Sequence, residues 1–117
     1  MGTPSSMSDS TARRRSARLA MRLKVVLSGV NAQSQPFEER TETLEVSKYG
    51  AKVFTREDLK IGALLSLERP DSDRASKFKV AYQAVRDAEG RRETGIEFVG
   101  VDTFWGIQFP PYKSPWI

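Results

Sequence analysis

A predicted β-hairpin near the C-terminus places the strongest constraint on the fold of this chain. Residues 78–85 and 93–99 alternate side chains with the period of two that is typical of strands with one face on a core. The linking Asp87-Ala88-Glu89-Gly90 is a short loop in which we expect Gly90 to adopt the left-handed conformation. On the first of the two strands the expected core-facing residues are Phe78, Val80, Tyr82 and Ala84.

Four shorter strand patterns precede this hairpin. We expect strands from Arg22 to Ser28, from Phe37 to Val46, from Ala51 to Phe54, and over Leu64, Leu65 and Leu67. Six short strands with hairpin-length links and no long helix predict an all-β fold, a closed or nearly closed six-stranded antiparallel β-barrel.

Two short helical segments are also expected. A single helical turn is expected at Thr55-Arg56-Glu57-Asp58, because a Thr followed by acidic residues is typical of the start of a helix. Gly62 would end this turn. Asp102 or Thr103 is expected to cap a short C-terminal helix that packs on the barrel mouth through Phe104, Trp105 and Ile107. We expect Trp105 and Trp116 to serve packing rather than base stacking.

The composition narrows the class of function. The 117 residues suit one domain and include no Cys and no His, which removes disulfides, Cys/His zinc sites, Cys nucleophiles and Ser-His-Asp catalysis. We therefore expect no enzyme. No apolar run of about 18 residues is present, so no membrane insertion is expected, and residues 1–11 lack the apolar stretch of a signal peptide. These features predict a cytoplasmic protein.

Positive charge is concentrated at the N-terminal edge. The net charge is +4, but residues 1–24 hold six basic groups against one acidic group, and the remainder has a net charge of −1. Such focusing suits a small anion, whereas a nucleic-acid binder would spread basic groups over a face, so we do not expect nucleic acid as a partner. The densest stretch is Arg13-Arg14-Arg15-Ser16-Ala17-Arg18. It is either an anion clamp for a phosphorylated nucleotide or a solvated basic tail.

A second stretch, Leu44-Glu45-Val46-Ser47-Lys48-Tyr49-Gly50-Ala51, lies between two predicted strands. By itself this stretch predicts a hairpin turn, in which Gly50 provides a positive φ angle or a close backbone approach. Together with the arginines it resembles the bipartite signature of the PilZ family, Arg-x-x-x-Arg followed by Asp/Asn-x-Ser-x-x-Gly. Arg14 and Arg18 match the first element, and Arg13 is the additional Arg often found before it. Glu45, Ser47 and Gly50 align with the second, with Glu in place of Asp or Asn.

The resemblance implies a function. PilZ domains are bacterial six-stranded barrels that bind cyclic di-GMP, and residues 95–98 resemble the strand that ends the barrel. The implied domain spans residues 13–109, between a disordered polar tail (1–12) and a Pro/aromatic tail (110–117). A set of six ligand contacts is implied: Arg13, Arg14, Arg18, Glu45, Ser47 and Gly50. The expected protein is a non-catalytic cyclic di-GMP receptor without a cofactor, which closes a flexible N-terminal Arg arm on the ligand and signals to an unidentified effector protein. The alternative is a degenerate interaction module that does not bind the nucleotide.

Overall fold

The computed structural model describes residues 17–99 and 104–105, and within these residues six strands close into a barrel. The strands are β1 (Lys24–Val30), β2 (Pro36–Ser47), β3 (Gly50–Thr55), β4 (Leu64–Arg69), β5 (Arg74–Gln83) and β6 (Arg92–Phe98). Around the barrel they follow the order β1-β2-β3-β6-β5-β4, and every neighbouring pair is antiparallel. The predicted six-stranded antiparallel barrel is therefore confirmed.

The core consists of the side chains that alternate inward along the strands. Leu27, Val46, Val53, Leu67 and Phe78 have no solvent exposure. One end of the core is aromatic, because Phe104 and Trp105 are each 3% exposed and the Phe104 ring meets Phe78 edge-on at 5.6 Å between centroids. The expected packing role of Trp105 is confirmed. Residues 104–105 form a turn, and the rest of the predicted C-terminal helix, like Trp116, lies outside the described residues.

The predicted helical turn at Thr55 is wrong, since residues 17–99 contain no helix. Thr55 is instead the last residue of β3 and is fully buried. Its hydroxyl donates to the Glu39 carboxylate on β2 and accepts from the amide of Glu57, only two residues along the chain, at 3.0 Å. This local bond forms a tight turn, whereas a helix cap would accept from the amide two or three residues into a continuing helix.

Half of the predicted core face of β5 is wrong because the strand contains a β-bulge. Phe78 and Val80 are buried as expected, but the register with β6 shifts between Val80 and Tyr82, leaving Tyr82 45% exposed. Ala84 is exposed as well. An extra residue in one strand reverses the direction of every side chain that follows it. The hairpin loop itself agrees with the prediction, because Gly90 has a φ angle of 82°.

Candidate functional site

The second motif forms the β2–β3 hairpin and presents its polar side chains on the outer surface of the barrel. Glu45 and Ser47 flank Val46, which is fully buried, so the two polar residues point outward. Ser47 pairs with Gly50 across a two-residue turn, and Glu45 pairs with Lys52. The hairpin therefore brings a carboxylate, a hydroxyl and an ammonium group onto one face.

The end of the basic stretch lies against the same hairpin. Leu19 forms an antiparallel bridge with Val46 through two backbone hydrogen bonds of 2.9 Å. Beside it, the Arg18 guanidinium lies 3.7 Å from the Glu45 carboxylate, and the two side chains are 49% and 33% exposed. The structure thus joins one residue of the first motif to one residue of the second.

A buried hydroxyl anchors residues 17–23, which we call the arm segment. The Thr43 hydroxyl donates to the carbonyl of Met21 at 2.6 Å and accepts from the amide of Leu23 at 2.9 Å. Thr43 has no solvent exposure, and its own amide donates to the Leu23 carbonyl at 3.0 Å. The second half of β2 thus pairs with β3 on one side and with the arm segment on the other, and its register with β3 shifts between Thr43 and Glu45. This anchoring fixes the approach of Arg18 to the hairpin.

Lys52 is a cation of this site that the sequence reasoning missed. Its ammonium group lies 4.0 Å from the Glu45 carboxylate and 3.7 Å from that of Glu93, and its side chain is 26% exposed. Counting back from a two-residue turn at Lys48-Tyr49 would have set Lys52 opposite Glu45, so the signal was present in the sequence. Glu45 accordingly has a cation on each side. Partly exposed pairs at such distances contribute little to stability, so both cations are available to a stronger anion.

Gly50 and Ser47 have structural roles in the hairpin. A Cβ atom on Gly50 would lie 2.0 Å from the carbonyl oxygen of Ile96 and 3.0 Å from the Cα of Glu97, both backbone atoms of β6. The predicted close backbone approach is therefore confirmed, whereas a positive φ angle at Gly50 is not observed. The Ser47 hydroxyl accepts from the amide of Tyr49 at 3.2 Å, a bond typical of a Ser-stabilised turn. These contacts hold the turn in shape.

The structure therefore brings together Arg18, Glu45, Ser47 and Gly50 from the predicted set. Arg13 and Arg14 lie outside the described residues. Continuing the Leu19–Val46 alignment by one residue sets Arg18 opposite Ser47. An anion placed on this face would meet the guanidinium of Arg18, the hydroxyl of Ser47 and the ammonium group of Lys52, which are donors suited to phosphate.

A separate surface hollow of about 440 Å³ is lined by Arg22, Leu23, Lys24, Pro70 and Asp71. It contains none of the motif residues. A hydrogen bond from Arg69 lowers the pKa of Asp71, so this carboxylate remains charged and offsets the nearby cations. The hollow is a weaker candidate than the hairpin face because its charges are mixed and its walls present no convergent set of donors.

A family model described as the PilZ domain matches residues 12–103, which include both motifs and all six strands. No match was found among the curated proteins. In the part of the chain that the structure describes, no helix is long and apolar enough to cross a membrane.

Proposed function

The chain belongs to the PilZ domain family, and on this premise we propose that it is a non-catalytic receptor for cyclic di-GMP that signals through a partner protein. Domains of the family are generally binding modules for this nucleotide rather than enzymes. The observation that carries the proposal is the contact between the two motifs, in which Arg18 lies 3.7 Å from Glu45 on the outer face of the β2–β3 hairpin. Motifs separated by a strand and a loop in sequence thus form one surface.

The arginines would hold the phosphates. Arg18 is half exposed and paired only at the long end of the ion-pair range, so its guanidinium can turn from Glu45 toward a phosphate oxygen. Charge-assisted bonds of guanidinium to phosphate are short, bidentate and stronger than bonds between neutral groups. We assign Arg13 and Arg14 to the same role, because they precede the arm segment that is anchored beside the hairpin.

The hairpin would read the base. The Glu45 carboxylate accepts hydrogen bonds, and a guanine edge offers N–H donors. The Ser47 hydroxyl supplies a further donor, and Gly50 lets β3 pack closely on β6, which fixes the hairpin that carries both side chains. Closure of the Arg-rich residues over the ligand would then change the surface that an effector protein meets, as in other disorder-to-order switches.

A degenerate module that has lost the nucleotide is the second candidate, and one observation favours it. The Glu45 carboxylate is already flanked by Arg18 and Lys52. A guanine edge would have to compete with these cations, and Glu has one more methylene than the Asp or Asn of the family motif. In this case the ion pairs would serve only to hold the arm segment on the barrel.

Isothermal titration calorimetry with cyclic di-GMP tests the proposal, with GTP and a short oligonucleotide as ligand controls. Arg14→Ala and Arg18→Ala should each weaken binding by about 1.5–3 kcal/mol, the contribution of a hydrogen bond to a charged group. Arg40→Ala is a matched control, since Arg40 is exposed on β2 but lies five residues from Glu45, about 17 Å along the strand. It should bind like the parent protein.

The outcomes separate the two candidates. Cyclic di-GMP binding that depends on Arg14 and Arg18 but not on Arg40 supports the receptor. A folded parent protein that does not bind the nucleotide supports the degenerate module, and equal loss with Arg40→Ala would mean that the nucleotide is attracted by positive charge in general. Thermal melting of each variant checks that the barrel is intact.

A further inference from the structure

The site residue Glu45 belongs to a row that crosses four strands on the outer surface of the barrel. Glu45 on β2 pairs with Lys52 on β3, Lys52 pairs with Gly95 on β6, and Gly95 pairs with Tyr82 on β5. Neighbouring strands lie about 4.8 Å apart, so the row extends about 14 Å from Glu45 to Tyr82. Beyond the hairpin, this surface therefore continues to an aromatic side chain.

Tyr82 faces outward because of the β5 bulge. The pairing passes from Val80–Ile96 directly to Tyr82–Gly95, so Ala81 is the extra residue. Without the bulge, the period of two would place Tyr82 on the buried face with Phe78 and Val80. Bulges occur frequently next to functional sites, where they redirect a side chain. Here the redirected side chain is an aromatic ring on the row that contains Glu45 and Lys52.

Gly95 holds this ring in place. A Cβ atom at Gly95 would lie 2.2 Å from Cε2 of Tyr82, 2.6 Å from Cδ2 and 2.9 Å from Cζ, so the ring occupies the space above the glycine. The Tyr82 side chain is nevertheless 45% exposed. The ring is thus packed on the backbone of β6 and still accessible to a ligand from outside, which lowers the entropic cost of using it as a contact surface.

We propose that Tyr82 is a stacking platform for one guanine base of the bound nucleotide, so that the site extends from the arm segment across β3 and β6 to β5. This inference rests on the proposed cyclic di-GMP binding. It adds a contact that neither sequence motif contains. Stacking suits the chemistry because a purine has a large π face and an aromatic side chain binds it without needing a hydrogen-bond partner. Lys52, between Glu45 and Tyr82 in the row, would face the phosphate side of the same ligand.

Calorimetry on Tyr82 variants tests the platform. Tyr82→Ala should weaken cyclic di-GMP binding about tenfold or more, while Tyr82→Phe should bind within about twofold of the parent protein because the ring is retained. Val30→Ala is the control for loss of an exposed apolar side chain, since Val30 is 52% exposed on β1, which borders β2 and β4. It should leave the affinity unchanged.

A second variant displaces the ring without removing it. Gly95→Ala would force the Tyr82 ring off β6, and all three of the nearest atoms to the added methyl belong to that ring. Gly95→Ala should therefore weaken binding in the parent protein but have little further effect when combined with Tyr82→Ala. This non-additivity measures the shared contribution of the two residues to binding.

Stacking also has a spectroscopic signature. With the tyrosine rings isotopically labelled, the Tyr82 ring protons and the guanine H8 proton of the ligand should both shift upfield on binding, which a purely structural role would not produce. Parent-like affinity of Tyr82→Ala, with binding still dependent on Arg18, would overturn the platform but leave the proposed function intact. Failure of the parent protein to bind cyclic di-GMP would overturn both. The platform would also be overturned if Tyr82→Ala lowers the affinity tenfold and Tyr82→Phe does not, but the Tyr82 ring protons of the parent protein do not shift on binding.

Discussion

Replacing Thr43 by Val tests whether one buried hydroxyl holds the arm segment to the barrel. Val has nearly the same shape and suits a strand, so the change removes the hydroxyl with little effect on packing. The Leu23 amide and the Met21 carbonyl, which lie 2.9 Å and 2.6 Å from that hydroxyl, then lose their partner. Thr43 itself is fully buried, so the new methyl group would stand where the hydroxyl met these two backbone groups.

The magnitude follows from the two lost hydrogen bonds. A buried polar group left without a partner costs about 1–3 kcal/mol, and we take the lower end for each because Met21 and Leu23 are only partly buried. Thr43→Val should therefore reduce the free energy of unfolding by about 2 kcal/mol. For a chain of 117 residues, that corresponds to a fall in Tm of about 8 °C.

Urea unfolding of Thr43→Val, paired with amide hydrogen exchange, measures the effect. Exchange should accelerate at the amides of Leu19 and Val46, which form the next contact of the arm segment with β2. Thr41→Val is the matched control on the same strand, because the partly buried Thr41 hydroxyl donates at 2.8 Å to the carbonyl of Phe54 on β3 and not to the arm segment. It should cost about 1 kcal/mol and leave that exchange unchanged. A loss in Thr43→Val below about 0.5 kcal/mol with unchanged exchange would refute the reasoning.

Substitutions at three further positions test other parts of the structure. Glu45→Asp should tighten cyclic di-GMP binding because one fewer side-chain torsion is immobilised. Glu45→Ala should weaken binding by about 1–3 kcal/mol because a guanine donor loses its acceptor. If calorimetry finds neither effect, Glu45 only forms ion pairs and does not contact the ligand. Gly50→Ala should destabilise the barrel by about 1–3 kcal/mol in urea unfolding, since its methyl would collide with the Ile96 carbonyl, and parent-like stability would contradict the close approach. The pKa of Asp87 is lowered mainly by the hydrogen bond from the backbone amide of Arg91, so its stabilising contribution is present above the unfolded pKa and is lost as the pH falls through the lower folded value. Asp87→Ala should therefore lose less stability than the parent protein on acidification below about pH 4. If the free energy of unfolding, measured in urea at several pH values, falls equally steeply with pH in both proteins, this linkage is ruled out.

Local patterns in the sequence were sufficient to predict the strands. The alternation around Phe78 and Val80, and the glycine at position 90, depend on neighbours only a few residues away. These features predicted the six strands and the antiparallel barrel, and their bounds differ from the observed ones by a few residues. The exposed side of Tyr82 was not predictable in this way, because the bulge that reverses it is decided by the pairing of β5 with β6.

The sequence also determined which residue types are available to the site. The absence of Cys and His excluded their chemistry, and the spacing of Arg14 and Arg18 with Glu45, Ser47 and Gly50 indicated the family that the domain model then matched. A short motif can identify such residues because the chemistry of each one follows from its residue type alone.

The tertiary structure alone decided how these residues meet. The pairing of Arg18 with Glu45 depends on the bridge of Leu19 to Val46 and on the Thr43 hydroxyl, and the approach of Tyr82 to Gly95 depends on two strands that are distant from the hairpin motif in sequence. Burial and strand register are properties of the closed barrel, since a side chain is buried only when residues from other strands cover it. The local sequence therefore predicts the strands and turns. The free energy of packing the strands together determines their register, their bulges and the neighbours of each site residue.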